Sequence, residues 1–523
     1  AVAMASAVEA TANAHHGDMQ TRTGGAKGGV FYTGRSTSSE NTTMIVKMTW
    51  MVFLVTAMVA REWSYSCFSY LYSIDTSEGD FESITAATGI GSDAYAALTG
   101  YGITATCASF MAISGVCVFY GISRLHVIMG GLFLGASGCM LLSFATTTST
   151  LSYGVVLISV GAGTMYTPSY SLARGLFMDE GYAATAAGVM FGGKSIGNGC
   201  ASLSIMLAAS IGWRNTYRII AAVLLTSVVG IAGMSISDPN LADKLAKPIP
   251  QIESGDGSGR GNGAAEDVPP TATSVSISTG SEPKLNGFGA LASGVYSQLT
   301  IFLGALLVVS VLSDTPLTIV MWWYPSYISS AYSQSDNIYS MYNAALQCFA
   351  GATGGIVGGR LADIMGRENT AGMLYSPCLL QLSAAVGLGG SLYSGTFLAS
   401  FGWYGLFVFC TTGTSGAMYT VIQNVTRSKE CDAVLGTFLL TNWLIAAMLA
   451  DFIGESAWKI KMKMIAMVPM MVLASAGYFV LAPSYDGQKK RAEAEDALLA
   501  AALAQGESGE SGESSDPLMG TLR

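Results

Sequence analysis

The sequence predicts an all-α polytopic membrane protein, about twelve transmembrane helices arranged as two six-helix bundles, and three observations point to it. Only 11% of the 523 residues are charged and 51% are hydrophobic, with a mean hydropathy of +0.45; a soluble domain carries roughly a quarter charged residues. Apolar stretches of about 20 residues recur along the chain, the length that spans a hydrocarbon core. These stretches are continuous rather than alternating, which excludes a transmembrane β-barrel.

Taken in order, residues 1–43 are polar, rich in Gly, Ala, Ser and Thr and without periodicity, as expected of a disordered tail. The first apolar run extends from about Met44 to Tyr70 and contains Arg61-Glu62 in its second half; an acidic loop with Asp75, Glu78, Asp80, Glu82 and Asp93 follows. Runs over about 95–121, 125–146, 151–175, 183–211 and 216–236 complete a first bundle, residues 44–236. Residues 237–295 break the pattern with Pro248, Pro250, Pro269, Pro270 and the glycines from Gly255 to Gly263, the composition of a hydrophilic linker. Runs over about 296–331, 337–362, 370–394, 400–425, 432–455 and 462–482 form the second bundle, residues 296–482. The tail, residues 483–523, opens on Lys489-Lys490-Arg491 and continues as an Ala/Glu/Leu helical stretch. It ends in an acidic repeat, Gly506-Glu507-Ser508-Gly509-Glu510-Ser511, read as disordered.

Charge sets the orientation. Of the 25 Lys and Arg residues, Arg214, Arg218, Lys459, Lys461 and Lys463 fall on one side and Arg61 and Lys194 within the membrane. All the others lie on the side of the two tails and the linker, so both termini are expected to be cytoplasmic, in a plasma or an organelle membrane. The net charge of -9 carries no nucleic-acid footprint. The 9 cysteines lie in or beside apolar runs without a Cys-x-x-Cys pair and read as buried thiols. The 3 histidines, His15, His16 and His126, are not mid-membrane, so no histidine proton relay, metal site or other cofactor is expected.

The most informative stretch is Gly355-Ile356-Val357-Gly358-Gly359-Arg360-Leu361-Ala362-Asp363-Ile364-Met365-Gly366-Arg367-Glu368. Small residues let two helices approach closely, while Asp363 and Arg367 mark the water boundary of a tight turn between them. The spacing resembles the loop signature of the major facilitator superfamily (MFS), where it joins the second and third helices of a six-helix half. Gly212-Trp213-Arg214 before helix 6, Gly161-Ala162-Gly163 followed by Pro168 in helix 4, and Trp323-Tyr324-Pro325-Ser326-Tyr327 in helix 7 are similar to MFS segments too. The last resembles spinster-like lipid transporters, organophosphate/phosphate antiporters and sialin-like anion transporters. The resemblance implies a secondary transporter working by alternating access, with Gly359, Asp363, Gly366 and Arg367 as a gating motif whose charge relay holds one end of the cavity closed. The sequence also departs from the pattern. The first-half loop, Tyr120-Gly121-Ile122-Ser123-Arg124-Leu125-His126, lacks the acidic residue, and Thr164 stands where spinster-like proteins usually have a glutamate.

Charges inside helices are the other signal, because an ionised side chain at the bilayer centre costs at least ~2.5–3.5 kcal/mol and tends to mark a pathway. Arg61 and Glu62 are consecutive, point about 100° apart and are not expected to pair face to face. By resemblance Glu62 falls near a coupling acid and Arg61 near a phosphate-binding arginine; a charge-neutralising role for Arg61, for instance toward Asp451, is the alternative. Asp314 lies about two turns before Trp322 on a helix bent by Pro316 and Pro325. Gly188-Val189-Met190-Phe191-Gly192-Gly193-Lys194-Ser195 matches a phosphate-loop expression, but it sits inside a helical run where its N–H groups are already bonded. Gly188, Gly192, Ser195 and Gly199 read instead as a packing lane, with Lys194 facing either the cavity or a buried carboxylate.

These residues point to a transporter of a small solute, an organic anion first, that binds between helices 1, 4, 5, 7 and 10. Arg61 and Lys194 are the expected anion contacts, Tyr166 and Trp323 the cavity-lining aromatics, and Glu62 and Asp314 the coupling carboxylates for H+ or Na+. A spinster-like lysolipid or amphiphile carrier, or a non-transporting sensor or subunit of a membrane complex, are the alternatives; no enzymatic activity is expected.

Overall fold

The computed structural model describes residues 37–71, 83–91, 94–95, 98–178, 180–239, 241–242, 287–332, 336–455 and 459–510. The first tail through residue 36, the acidic residues of the loop after helix 1, the body of the linker and the chain end from 511 lie outside the described residues, as do the side chains of Trp322 and Glu455; residues 37–43, expected within the disordered tail, are instead helical in backbone and open α1.

Twelve long helices carry the described residues: α1 Thr37–Leu71, α2 Ile103–Phe119, α3 Arg124–Ser143, α4 Thr148–Phe177, α5 Ala183–Ile211, α6 Trp213–Ser237, α7 Ile301–Tyr332, α8, α9 Gly372–Tyr393, α10 Phe397–Asn424, α11 Cys431–Glu455 and α12 Met467–Glu510. α8 consists of Asp336–Leu346 and Ala352–Glu368 joined by a π-helical turn, Gln347–Gly351. Short helices Gly287–Gln298 and Ile460–Ile465 precede α7 and α12. Eight of the twelve are long and apolar enough to cross a membrane on length and composition. The other four are α2, with 17 residues, and α4, α5 and α8. The π-helical turn divides α8 into pieces of 11 and 17 residues, and the many Gly, Ser and Thr residues of α4 and α5 lower their hydropathy.

The two halves repeat one packing scheme. α3 lies against α4 and α6, α2 against α4, and α1 against α5 and α6; α9 lies against α10 and α12, α8 against α10, and α7 against α11 and α12. The halves meet where α2 crosses α11 and where α5 crosses α8 and α10. Glycine makes both crossings possible: a Cβ at Gly188 would collide with the Gly355 carbonyl, and one at Gly436 would sit 2.5 Å from the Met111 carbonyl. The expected packing lane on α5 is therefore an interface between halves, with Gly192 against Ala352 and Gly199 against Ala344 and Cys348. Gly212 adopts φ 83 at the tight break between α5 and α6, a conformation that favours glycine. The adjoining Arg214 stacks 4.7 Å over Trp213 and donates to the Ala145 carbonyl.

Two further boundaries differ from the sequence reading. The tail expected from residue 483 continues α12 without a break through Pro483 to Glu510, so most of the acidic repeat is helical in backbone. Good helix formers over 488–504 propagate a turn that the membrane segment has already nucleated. The segment before α7 is a separate helix, Gly287–Gln298, rather than part of helix 7. Large apolar side chains such as Phe133, Val229, Val386 and Phe479 are exposed on the outer helices, as a lipid-facing surface requires. A groove of about 380 Å³ between α3 and α6, lined by Phe133, Met140, Phe144 and Leu225, belongs to that outer surface.

Candidate functional site

The charged residues of the membrane interior converge between the halves. Lys194 on α5, Asp314 on α7 and Trp443 on α11 sit mid-helix yet are only half-buried, so they border internal space. The Lys194 ammonium lies 5.0 Å from the Trp443 ring, 5.3 Å from Phe191 and 5.8 Å from Tyr166. Among the described residues no carboxylate is close enough to form an ion pair with it. Asp314 is within electrostatic reach of Lys194, and its Oδ2 accepts from Asn442 Nδ2 at 2.5 Å. Asn442 is fully buried, and its Oδ1 has no hydrogen-bond partner among the described residues.

Arg61 behaves differently. Sequence geometry argues against pairing with Glu62, yet Arg61 Nη1 forms an ion pair with Glu62 Oε2. The 100° between consecutive Cα–Cβ directions is overcome by the length of the two side chains. Its Nε donates to the Ala162 carbonyl at 3.2 Å and its Nη2 to Cys107 Sγ at 3.3 Å. The guanidinium is also sandwiched by Tyr166 at 4.7 Å and Tyr65 at 5.0 Å. Both charges are almost wholly buried, at 1% and 3% exposure, so the pair is neutralised and closed off from the space that Lys194 borders. Asp451, the alternative partner, is exposed near the end of α11.

Toward the face that carries the start of α1 and the end of α6, here the tail face, buried aromatic rings seal this space. Tyr170, Phe191 and Tyr419 pack with centroids 4.9 to 5.6 Å apart, and Tyr166 Oη lies 3.3 Å from Tyr419 Oη. Below them the halves are tied by Gln423 to Ser171 and by Arg174 to Asn424 Oδ1, at 3.0 and 2.6 Å. The gating residues complete the seal. Asp363 on α8 caps α5, accepting from the N–H groups of Ala184 and Thr185 at 3.0 and 2.7 Å and from the Thr185 hydroxyl. Gly359 lets α8 touch the Ala184 carbonyl, and Gly366 faces Met373. Arg367 donates to the carbonyls of Glu180 and Gly181 rather than to Asp363, so the two charges bind the α4–α5 turn and α5 side by side.

On the other crossing, Arg124 at the start of α3 forms an ion pair with Asp432 in the first turn of α11. Both Nε and Nη2 grip the same Oδ2 at 2.8 and 2.7 Å, with side chains 2% and 3% exposed. The first-half loop thus lacks an acid because its carboxylate comes from the other half.

Trp323 does not join the centre. It stacks on the Lys463 ammonium at 4.5 Å near the opposite face, beside Gly454. The reason is register: Trp323 lies nine positions beyond Asp314, more than two turns toward the far end of α7. Trp443, Tyr419, Phe191 and Asn442 were not legible as site residues, because a lone aromatic or amide in an apolar run carries no local signal.

The profile of the family described as Major Facilitator Superfamily matches residues 48–450. Among solved structures, a bacterial homologue of the human lysosomal transporter Spinster, in an inward-facing and unoccupied conformation, is similar in fold, with a TM-score of 0.52 and 13% identity over 85% of this chain and 98% of that one. None of the curated proteins compared with the chain matches it.

Proposed function

The chain belongs to the major facilitator superfamily, and from that premise we propose that this membrane transporter is a secondary carrier of a small organic anion, working by alternating access between its two bundles. The observation that carries the reading is the Lys194 ammonium, retained beside internal space with aromatic rings and no paired carboxylate. Such a charge is costly among apolar helices unless a ligand supplies its counter-charge.

In this reading Lys194 holds the anion against Tyr166. Asp314 is the coupling group: ionised, it competes with the solute for Lys194; on binding H+ or Na+ it leaves the ammonium to the solute. Arg61 and Glu62 stay locked as a neutral pair that holds α1 against α2 and α4, and the anion is left to Lys194. Tail-face closure by Asp363, Arg367, Arg124 and Asp432 leaves the centre to load from the opposite side, which the distribution of Lys and Arg makes the non-cytoplasmic one. Trp323 has no part in binding.

The test is uptake into proteoliposomes across a panel of carboxylates and lysolipids, with and without H+ or Na+ gradients. Lys194→Gln is expected to abolish saturable carboxylate uptake while the exposed Lys459→Ala leaves it unchanged. Carboxylate uptake that survives Lys194→Gln overturns the reading, and so does flux of lysolipid alone.

A further inference from the structure

We propose that the central space selects a flat, singly charged anion, an aromatic or heteroaromatic monocarboxylate, and that Trp443 is the residue that distinguishes its ring. This rests on the organic-anion reading above and narrows it.

The charge count comes first. Arg61 directs its nitrogens to Glu62, the Ala162 carbonyl and Cys107, and it is 1% exposed. One ammonium, that of Lys194, is left facing the space, so a dianion such as phosphate would keep a charge without a partner. The anion therefore carries one charge.

The walls give the shape. Three rings surround the ammonium, and of these Trp443 alone is half-buried, while Tyr166 and Phe191 are buried. Trp443 is fixed by an edge-on contact with Tyr166, at 5.6 Å and 67°, so it presents a held surface rather than a mobile one. A carboxylate on Lys194 places the rest of its molecule against that indole, where a planar ring stacks and a puckered or branched body does not. Toward the tail face, Tyr170, Phe191 and Tyr419 close the space with buried aromatic packing.

The discriminating pair is benzoate against cyclohexanecarboxylate, equal in charge and nearly equal in size but differing in flatness, with inorganic phosphate and lysophosphatidylcholine as further probes. In proteoliposomes holding the full chain, benzoate is expected to show a KM about tenfold lower than cyclohexanecarboxylate, the upper range for one well-formed aromatic contact. Trp443→Leu is expected to erase that preference by raising the benzoate KM alone, and Trp443→Phe to keep it. Equal KM values in the unmodified protein overturn this inference and leave the anion reading intact. An equal rise for both solutes in Trp443→Leu assigns Trp443 a merely structural role and also overturns it. If neither carboxylate moves, the inference and the reading beneath it fall together.

Discussion

Where α5 meets α8, a carboxylate on α8 caps the first turn of α5; where α2 meets α11, the carboxylate has changed helices. The backbone contact is the same in both places. Gly188 on Gly355 corresponds to Gly436 on Met111, and Gly359 on Ala184 corresponds to Gly115 on Asp432. Under that correspondence Phe119 stands where Asp363 stands, covered by the Lys429 ammonium at 5.4 Å, and Asp432 stands where Ala184 stands. Symmetry is thus kept by small residues at the crossings and broken by the polar groups laid over them. One clasp joins a charge to backbone N–H dipoles, whose partners water can replace on opening. The other is a buried ion pair gripping a single oxygen, with Asp432 Oδ1 left without a hydrogen-bond partner among the described residues. The two crossings should therefore open at different cost.

The strongest way to break the comparison is Asp432→Ala. Depriving the buried Arg124 of this carboxylate is expected to cost about 3–5 kcal/mol, the usual loss when one partner of a buried ion pair is removed. Thermal unfolding in detergent and spin-label distances across the tail face are expected to report this as a lower midpoint and a separation of α3 from α11. Adding Arg124→Leu should recover part of the loss. If the double variant is no more stable than the single one, the pair is not the clasp. At the opposite crossing, Asp363→Ala removes a helix cap and is expected to cost only about 0.5–2 kcal/mol. Measured in the same assay, a loss as large as that of Asp432→Ala would erase the distinction drawn here.

The smallest expected effect is one of pH. Glu430, in the turn before α11, has its carboxyl pushed above the ordinary value of 4.5 by burial, against the opposing pull of Arg427 and Lys429 and with help from Asp496. A group raised on folding holds its proton more tightly in the closed protein. Its stabilising contribution is complete below the ordinary glutamate range and is lost as pH rises through the elevated value. Unfolding midpoints followed upward from pH 4.5 should therefore fall slightly, and Glu430→Gln should flatten that slope.

Much of this was legible in the sequence for one reason: lipid enforces long apolar runs, and a run of 20 residues announces itself without a partner. The fold, the inter-half lane on α5 and the attention owed to Lys194 and Asp314 follow from it. Contacts that join distant positions were not legible. Arg124 and Asp432 are 308 residues apart, and nothing near Arg124 signals that its acid lies in the other half. Arg61 and Glu62 failed in the opposite way, since their adjacency suggested divergence and side-chain length reversed it. Trp323 stands out in a rich aromatic string, whereas the ring that lies beside the Lys194 ammonium is that of the solitary Trp443.

The continuous α12 has one more implication. Its 44 residues, at about 1.5 Å each, make a rod of roughly 65 Å, twice the thickness of a hydrocarbon layer. The protruding part is pinned at Glu495 to Arg427 and at Asp496 to Ser428, so it is rigidly geared to the α10–α11 turn. A fluorophore placed near Leu498 would ride on that arm as a pointer, converting a tilt of the second bundle by a few degrees into a swing large enough to follow by energy transfer in a living membrane.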